Sequence, residues 1–360
     1  MLSVISIEEA GIWDGIVTSF KNYDVYYLSG YSKSFQLNGD GIPTLFYYEG
    51  EDIRAINVVM KRNIEKDRNF KSKLSECSNF DIITPYGYGG FLVEGETTKD
   101  SLRCLDDEYS NFCKKNGIIS EFVRFHPLLK NNKALEEIYD VSSLCKTISI
   151  DLTSSEQIWA GLISKNRNMV RKAQKSGIEI YWGRDVDLYS DFIQMYNTTM
   201  DKDNAIDYYY FKEDFYKSIL KDFKYNAIMF YAVYEGKKIS MAIMLFANKK
   251  MHYHLSASDR IYQYLAPTNL LIYEAACWGS ENGYETLHLG GGVGSSEDSL
   301  YKFKSSFNRY SDNIFTIGRK IFDEDKYKNL VNVRKNEINF DSHTGFFPAY
   351  RATFSELEKE

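Results

Sequence analysis

Three consecutive β-strands that lead into a long helix constrain the fold of this chain more than any other feature of its sequence. Runs of apolar residues predict these strands over 227–234, 239–247 and 251–257. Pro267 opens a predicted helix over 268–282, and Gly283 ends it. A further strand, a run of glycines and another helix follow. This order predicts a mixed sheet and excludes a doubly wound dinucleotide-binding fold.

The first 145 residues also alternate between strands and helices. Their pattern predicts a hairpin over 42–48 and 53–61, a strand over 80–84, a helix over 98–116 and a strand over 118–125. A chain of 360 residues is long enough for two domains of about 150 residues each. We therefore expect an N-terminal domain over 1–145 and a C-terminal domain over 146–325. The predicted fold class is α/β (α+β), with mixed, largely antiparallel sheets flanked by helices.

Charge and cysteine usage limit the partners and the compartment. The chain has 44 Lys and Arg against 50 Asp and Glu, so its overall charge does not hold it to nucleic acid. No apolar run approaches the roughly 18 residues of a membrane helix, and the N-terminus lacks the basic start of a signal peptide. The spacing of the cysteines indicates reduced thiols, and we expect a cytoplasmic protein without a membrane segment. The five cysteines are Cys77, Cys104, Cys113, Cys145 and Cys277.

Two histidines raise the question of a metal. His252 and His254 alternate on one predicted strand and would face the same side. A metal would need further ligands, and no Cys or His cluster lies nearby in the sequence. We therefore expect no metal, and packed or hydrogen-bonded imidazoles instead.

A basic stripe follows the first predicted helix of the second half. Lys165, Arg167, Arg171, Lys172 and Lys175 occur without an acidic residue between Gln157 and Ile178. Arg167, Arg171 and Lys175 are four residues apart, so they line one face of a helix. Such a face can bind phosphates through charge-assisted hydrogen bonds, and it can equally be a solvated surface.

Two helix starts offer backbone N–H groups to a ligand. Gly290, Gly291 and Gly292 begin a glycine run after a predicted strand, and Ser295 or Ser296 would cap the next helix. Such a loop can bind an anion or a carbonyl oxygen, or it can be only a tight turn. Pro267, Thr268 and Asn269 open the long helix, where a pyrophosphate could bind or where ordinary capping occurs.

Taken together, these stretches resemble the FemABX-type branch of the GNAT acyltransferase superfamily, which includes peptidoglycan interpeptide-bridge aminoacyltransferases. The resemblance covers roughly residues 20–320, and the order of the motifs carries it. The motifs occupy residues 85–90 (PYGYGG), 124–128 (RFHPL), 165–173 (KNRNMVRKA), 267–271 (PTNLL) and the glycine run that leads to 300–307 (LYKFKSSF).

The resemblance implies two GNAT-like domains, with residues 326–360 packing back on the first of them. It implies that Phe303 and Lys304 lie at the reacting centre, where a cation can stabilise an oxyanion and an aromatic ring can exclude water. Tyr301 joins them as a candidate catalytic residue. Tyr86 and Tyr88 join Lys165, Arg167 and Arg171 as candidate phosphate-binding or acceptor-binding residues. We expect Lys304 at an exposed helix end.

One departure from the family pattern concerns the acceptor. Members that act on peptidoglycan precursors usually have a Thr-x-x-Arg pattern, whereas Thr198 and Thr199 are followed by Met-Asp-Lys here. The long coiled-coil insertion that clamps tRNA in some relatives is also missing. The first departure weakens the inference that this chain uses a peptidoglycan precursor as acceptor, and the second weakens the inference that it uses aminoacyl-tRNA as donor.

We expect an acyltransferase that forms an amide on an amine of a cell-envelope precursor or a sugar nucleotide. The expected co-substrate is acyl-CoA, with no tightly bound cofactor. Aminoacyl-tRNA as donor and a non-catalytic ligand-binding protein are the alternatives. His254, Glu274 and Tyr301 are the candidate general bases, and none is needed if the amine arrives neutral.

Overall fold

The structure is a computed structural model that describes residues 1–71, 73, 79–202, 205–335, 337, 340–341 and 344–352. Cys77, which the sequence analysis counts among the reduced thiols, lies outside the described residues. Parts of the predicted returning segment 326–360 also lie outside them, at 336, 338–339, 342–343 and 353–360.

Strands and helices alternate along the described residues, as the sequence predicts. The strands are β1 Leu2–Ser6, β2 Ile42–Glu49, β3 Ile53–Asn63, β4 Phe80–Ile83, β5 Leu92–Gly95, β6 Ile118–Arg124, β7 Asp140–Asp151, β8 Glu179–Gly183, β9 Ala227–Tyr234, β10 Lys237–Ala247, β11 Lys250–Ser258, β12 Thr286–Gly290 and β13 Asn313–Ile321. The helices are α1 Ala10–Ser19, α2 Ser29–Asn38, α3 Lys99–Lys115, α4 Ser155–Gly161, α5 Ser164–Lys175, α6 Val186–Lys202, α7 Glu213–Lys221, α8 Pro267–Glu281, α9 Ser299–Ser305 and α10 Glu324–Lys335. The predicted fold class, α/β with mixed and largely antiparallel sheets flanked by helices, is confirmed.

The chain divides into two compact units. Unit 1 comprises Met1–Asn22, Tyr26–Ser143 and Phe315–Glu360, and unit 2 comprises Tyr23–Val25 and Leu144–Ile314. Unit 1 therefore takes up the chain again at Phe315, earlier than the expected boundary at 326. The domain limits given above stay a prediction.

Unit 1 is built on a sheet in the order β1-β2-β3-β4-β6-β13. Strand β5 pairs with residues 53–56 of β3, on the edge where β4 pairs with residues 60–63. All neighbouring strands are antiparallel except β4 and β6, which are parallel. Helix α3 packs on this sheet through Leu105, Tyr109 and Cys113, which are fully buried. Such burial of an apolar helix stripe is the main source of its stability.

The end of the described chain is held inside unit 1 by a buried arginine. Arg334 on α10 is almost completely buried, and its guanidinium donates to the carbonyl oxygens of Tyr350 and Ala352 at 2.7 and 2.9 Å. Tyr350 is itself fully buried beside Phe70 and Ile119. Burying a guanidinium is expensive unless its donors are paired, and these two carbonyls provide that pairing.

Unit 2 is built on a sheet in the order β7-β12-β11-β10-β9-β8. Its neighbours are antiparallel except β11 and β12, which are parallel. Helix α8 packs on this sheet through Leu271, Ile272 and Ala275, and α5 packs against α8 through Val170 and Ala173. Within the described residues, no helix combines the length and the apolar character needed to cross a membrane.

Candidate functional site

The parallel strands β11 and β12 separate within unit 2. Only three positions pair, namely Lys250 with Thr286, Met251 with Leu287 and His252 with His288. Beyond them β11 continues to Ser258 along β10, whereas β12 ends at Gly290. The carboxyl ends of these two strands therefore do not share a ladder. Ligands of α/β folds bind where the carboxyl ends of neighbouring parallel strands diverge.

A β-bulge lies at the point where the two strands separate. On β11, Leu255 pairs with Ile243 and Tyr253 pairs with Met244, so His254 is the extra residue. The bulge interrupts the regular alternation on β11, and the expectation that His252 and His254 face the same side stays a prediction. Burial lowers the pKa of His254 to about 3, which makes its imidazole a poor proton acceptor.

The start of α8 faces the start of α5. Ala266 adopts a left-handed conformation before Pro267, and the hydroxyl of Thr268 lies 3.0 Å from that of Ser240 on β10. The side-chain amide of Asn269 donates to the side-chain oxygen Oδ1 of Asn166 at 2.8 Å. The first N–H groups of a helix have no partner within the helix, so this end can accept an anion.

The residue of α5 that reaches the α8 start is Asn166, which is not among the predicted site residues. Arg167 donates to the carbonyl oxygen of Trp159 on α4 at 3.4 Å, and Arg171 stacks over the Trp159 ring at 4.9 Å. Lys165 is exposed. The two arginines thus lie together on the α4 side of α5, and their assignment as phosphate ligands stays a prediction.

The glycine run after β12 requires glycine at specific points. Gly290 and Gly294 have φ angles of 76° and 58°, in the left-handed region. A Cβ atom on Gly292 would lie 2.2 Å from the carbonyl oxygen of Ser296 and 2.3 Å from Asp298 Oδ1. Close packing therefore fixes the path of this loop, and neither neighbour can tolerate a methyl group there.

The helix after the loop is capped by an aspartate and not by a serine. Asp298 is its N-cap, and its carboxylate accepts from the backbone N–H of Tyr301 at 2.8 Å. The prediction that Ser295 or Ser296 caps α9 is therefore wrong. The aspartate also accepts from the backbone N–H of Val293 at 3.3 Å, which joins the loop to the helix.

Lys304 lies against the glycine run. Its ammonium group donates to the carbonyl oxygen of Gly291 at 2.7 Å. Burial lowers the pKa of Lys304 to about 8, although Asp298 and Cys145 partly oppose this. The expectation of an exposed helix end is wrong for this side chain, because Lys304 is half-buried whereas Ser299, Leu300 and Lys302 of the same helix are exposed.

The neighbours of Lys304 on α9 are half-buried aromatic rings. Phe303 and Tyr301 pack against the core of unit 2, and the rings of Phe303 and Phe307 meet edge to face at 5.3 Å. Burial raises the pKa of Tyr301 above its ordinary value, so its hydroxyl stays protonated at neutral pH. These rings form an apolar wall beside the amine.

Glu274, another candidate base, lies farther along α8. Burial raises its pKa, and a hydrogen bond from Gln174 at the end of α5 partly opposes the shift. Asn269 and Glu274 are separated by more than one turn of helix, about 7 Å along the axis. The start of α8 and Glu274 are therefore separate positions along the helix.

Cys145 on β7 completes the surroundings of Lys304 and is not among the residues that the sequence predicts for the site. Its Sγ atom would lie 3.5 Å from a Cβ built on Gly291. Burial raises the pKa of the Cys145 thiol, while a hydrogen bond from Ser295 and the charge of Lys304 lower it. No local signal in the sequence marks this residue, because only the pairing of β7 with β12 brings it to the loop.

Tyr86 and Tyr88 belong to unit 1. The Tyr31 hydroxyl donates to the carbonyl oxygen of Tyr86, whose ring stacks on Phe35. The Tyr88 ring lies 5.5 Å from Tyr26 and 5.6 Å from the imidazole of His126. Both tyrosines are half-buried in an aromatic cluster, and their assignment to the acceptor stays a prediction.

Comparisons with known proteins agree with this architecture. Residues 164–304 match the family described as an acetyltransferase (GNAT) domain, a range that runs from the first residue of α5 to Lys304. The crystal structure of FemX is similar over 91% of this chain and 99% of that one, with 15% identity and a TM-score of 0.66. A conserved protein of unknown function from Bacteroides thetaiotaomicron is similar over 89% of this chain and 99% of that one, with 12% identity and a TM-score of 0.54. No curated protein sequence matches the chain. At these identities the structural likeness shows the fold alone.

Proposed function

We propose that this protein is an acyltransferase whose catalytic site lies in unit 2. The observation that carries the proposal is the separation of β11 from β12 after His252 and His288, with the α8 start and Lys304 at the same sheet end. The acetyltransferase (GNAT) family match over 164–304 supports it, because that range contains all of these elements. The FemABX-type assignment is part of the proposal and not of the observations.

The proposed reaction forms an amide. A neutral amine attacks the carbonyl carbon of a thioester, and the carbonyl oxygen becomes an oxyanion. The C–S bond then breaks, and the proton that the nitrogen loses passes to the leaving thiolate, so the products are an amide and a free thiol. The Lys304 ammonium would donate to the oxyanion, an interaction that strengthens as charge develops. The Phe303 and Tyr301 rings would keep water from the thioester.

The donor's phosphates are proposed to meet the first backbone N–H groups of α8. Thr268 and Asn269 supply these groups, and the dipole of a long helix favours an anion there. The donor is proposed to be acyl-CoA, because its pyrophosphate needs only a helix start and one or two cations. The acceptor is proposed to be an amine on a cell-envelope precursor or a sugar nucleotide.

To test this, the protein is incubated with a panel of acyl-CoA donors and amines, and consumption of the donor is measured as the release of free thiol. We expect thiol to be released only when a suitable amine is present. No release with any pair would overturn an acyl-CoA-dependent enzyme and leave the two alternatives, an aminoacyl-tRNA-dependent transferase and a non-catalytic binding protein.

Aminoacyl-tRNA is the second candidate donor, because Lys165 and the other exposed cations of α5 form a basic surface. The two donors differ in their response to salt, since neutralising many phosphates gives a steep loss of affinity with rising salt. Binding of CoA and of charged tRNA is therefore compared across a salt series. Charged tRNA that binds and is consumed, while CoA fails to bind at millimolar concentration, would make tRNA the donor.

A further inference from the structure

We propose that unit 1 holds a separate small-molecule site, which binds a small organic carboxylate with an apolar body. A cavity of about 230 Å³ lies in this unit. Three segments line it: the residues after α1, the strand β5 with the residue before it, and the loop after β6. The lining residues are Phe20, Asn22, Phe91, Leu92, Val93, Glu94, Leu129, Lys130, Asn131, Lys133 and Ala134. All of these residues belong to unit 1, so the site is independent of the acyl-transfer function proposed for unit 2.

The size and the inner wall of the cavity fit an apolar body. At about 30 Å³ per water molecule in the liquid, its volume corresponds to roughly eight waters. Leu92 and Phe91 are buried, and Val93, Leu129 and Ala134 are half-buried around them. Transfer of a short hydrocarbon chain or a single ring onto such a surface is favourable by about 25 cal/mol per Å² of apolar area removed from water.

The uncompensated charge at this cavity is positive. Lys130 and Lys133 are exposed at its lining, and neither forms an ion pair with any residue that the structure describes. Glu94, the acidic group of the lining, is already neutralised by Arg54 at 2.6 Å and also accepts from the backbone N–H of Lys21. In a chain with a net charge of −6, a lining with two unpaired lysines selects an anion.

The side-chain amide of Asn131 connects two of the segments that line the cavity. The side-chain N–H₂ group of Asn131 donates to the carbonyl oxygens of Gly89 and Phe91 at 2.9 and 3.1 Å. Its carbonyl oxygen accepts from the backbone N–H of His126 at 2.9 Å. The loop that carries both lysines is thus tied to the segment that supplies the apolar wall. A preformed site loses less entropy on binding than one that must first be ordered.

The test uses hexanoate as the probe and its neutral isostere hexanamide as the matched ligand. Binding to the full chain is followed by saturation-transfer NMR and by titration calorimetry. We expect hexanoate to bind with a dissociation constant on the order of millimolar, as suits a ligand of about eight heavy atoms. Hexanamide should bind at least tenfold more weakly.

Three variants separate the possible results. K130E/K133E should weaken hexanoate binding at least tenfold and leave hexanamide unchanged, whereas K114E/K115E, an exposed lysine pair at the end of α3, should change neither. Ala134→Trp, which fills the cavity, should abolish both. Circular dichroism checks that each variant is folded.

The proposal would be overturned by several outcomes. Equal binding of hexanoate and hexanamide would show that the site does not select a carboxylate. Hexanoate binding that survives in the Ala134→Trp variant would remove the location. No saturable binding to the wild-type protein up to tens of millimolar would remove the site, since the expected affinity lies well within that range.

Discussion

The ammonium group of Lys304 donates to the backbone carbonyl of Gly291 at 2.7 Å, which ties the last turn of α9 to the glycine run after β12. This contact relates the path of the glycine loop to the position of the lysine side chain. The loop must follow a fixed path for its carbonyl to reach the lysine, and the lysine side chain lies half-buried against the loop. The burial also lowers the pKa of the amine to about 8, close to the range in which enzymes work.

Lys304→Met should lower the rate of acyl transfer on the order of a hundredfold, the loss that follows removal of one oxyanion donor. The fold should persist, because Met retains the length of the side chain and removes a charge that is costly to bury. Steady-state kinetics of amide formation and the thermal unfolding temperature are the two measurements. Lys302→Met is the matched control, since Lys302 is exposed on the same helix. An unchanged rate in Lys304→Met would remove this lysine from the mechanism.

The pH dependence of the reaction should follow the charge of Lys304. Because burial lowers the pKa of this amine to about 8, it is charged below that pH and neutral above it. The rate should therefore fall as the pH rises through about 8, if the acceptor is an aromatic amine that is already neutral across the range. In Lys304→Arg the guanidinium stays charged, so the fall should disappear. A wild-type rate that is flat or rising from pH 7 to 9 would contradict a role for the charged form.

Gly292→Ala should disrupt the loop without unfolding unit 2. The new methyl group would lie 2.2 Å from the Ser296 carbonyl oxygen and 2.3 Å from Asp298 Oδ1, so the loop and the N-cap of α9 must shift. We expect a loss of at least tenfold in kcat/KM, because the carbonyl that holds Lys304 moves with the loop. Gly294→Ala is the control, since no atom lies within 4 Å of its Cβ and only the φ of 58° carries a cost, about 1–2 kcal/mol. Equal losses in the two variants would show that general loop strain, and not the contact, sets the rate.

Much of the fold was predictable because local signals and tertiary structure agree. The helix over 268–282 begins at a proline and ends at Gly283 with a φ of 78°, and the observed α8 is Pro267–Glu281. The meander over 227–257 is likewise confirmed as β9, β10 and β11. In contrast, α2 was not predicted, because its buried face is made of serines, Gly30 and two aromatic rings and lacks an aliphatic stripe.

The candidate site was less predictable, because its members come from distant parts of the chain. Lys304, the glycine run and the α8 start follow from motifs, but their mutual contacts do not. Asn166 meets Asn269 only because α5 packs along α8, and Cys145 reaches Gly291 only through strand pairing. Partial burial of the Lys304 side chain depends on tertiary packing as well, so the expectation of an exposed helix end is wrong.

Glu121 in unit 1 gives a prediction on stability that is independent of the acyl-transfer site. Its side chain is fully buried and accepts from Asn57 and from the hydroxyl of Tyr139, at 2.8 and 2.9 Å. Burial raises its pKa from 4.5 to about 6, although these hydrogen bonds partly oppose the shift. The folded state therefore holds this proton more tightly than the unfolded state. The resulting contribution to stability is fully present below pH 4.5 and is lost as the pH rises to about 6.

Glu121→Gln should remove this part of the pH dependence, which amounts to about 2 kcal/mol for a shift of this size. The free energy of unfolding, from urea titrations at pH 4.5 and at pH 7, should fall less with rising pH in the variant than in the wild type. Other carboxylates titrate over the same range, so only the difference between the two proteins is interpreted. Glu51→Gln, at an exposed turn of the same unit, should follow the wild type. If Glu121→Gln and the wild type lose the same stability between the two pH values, the buried carboxyl does not change its protonation there.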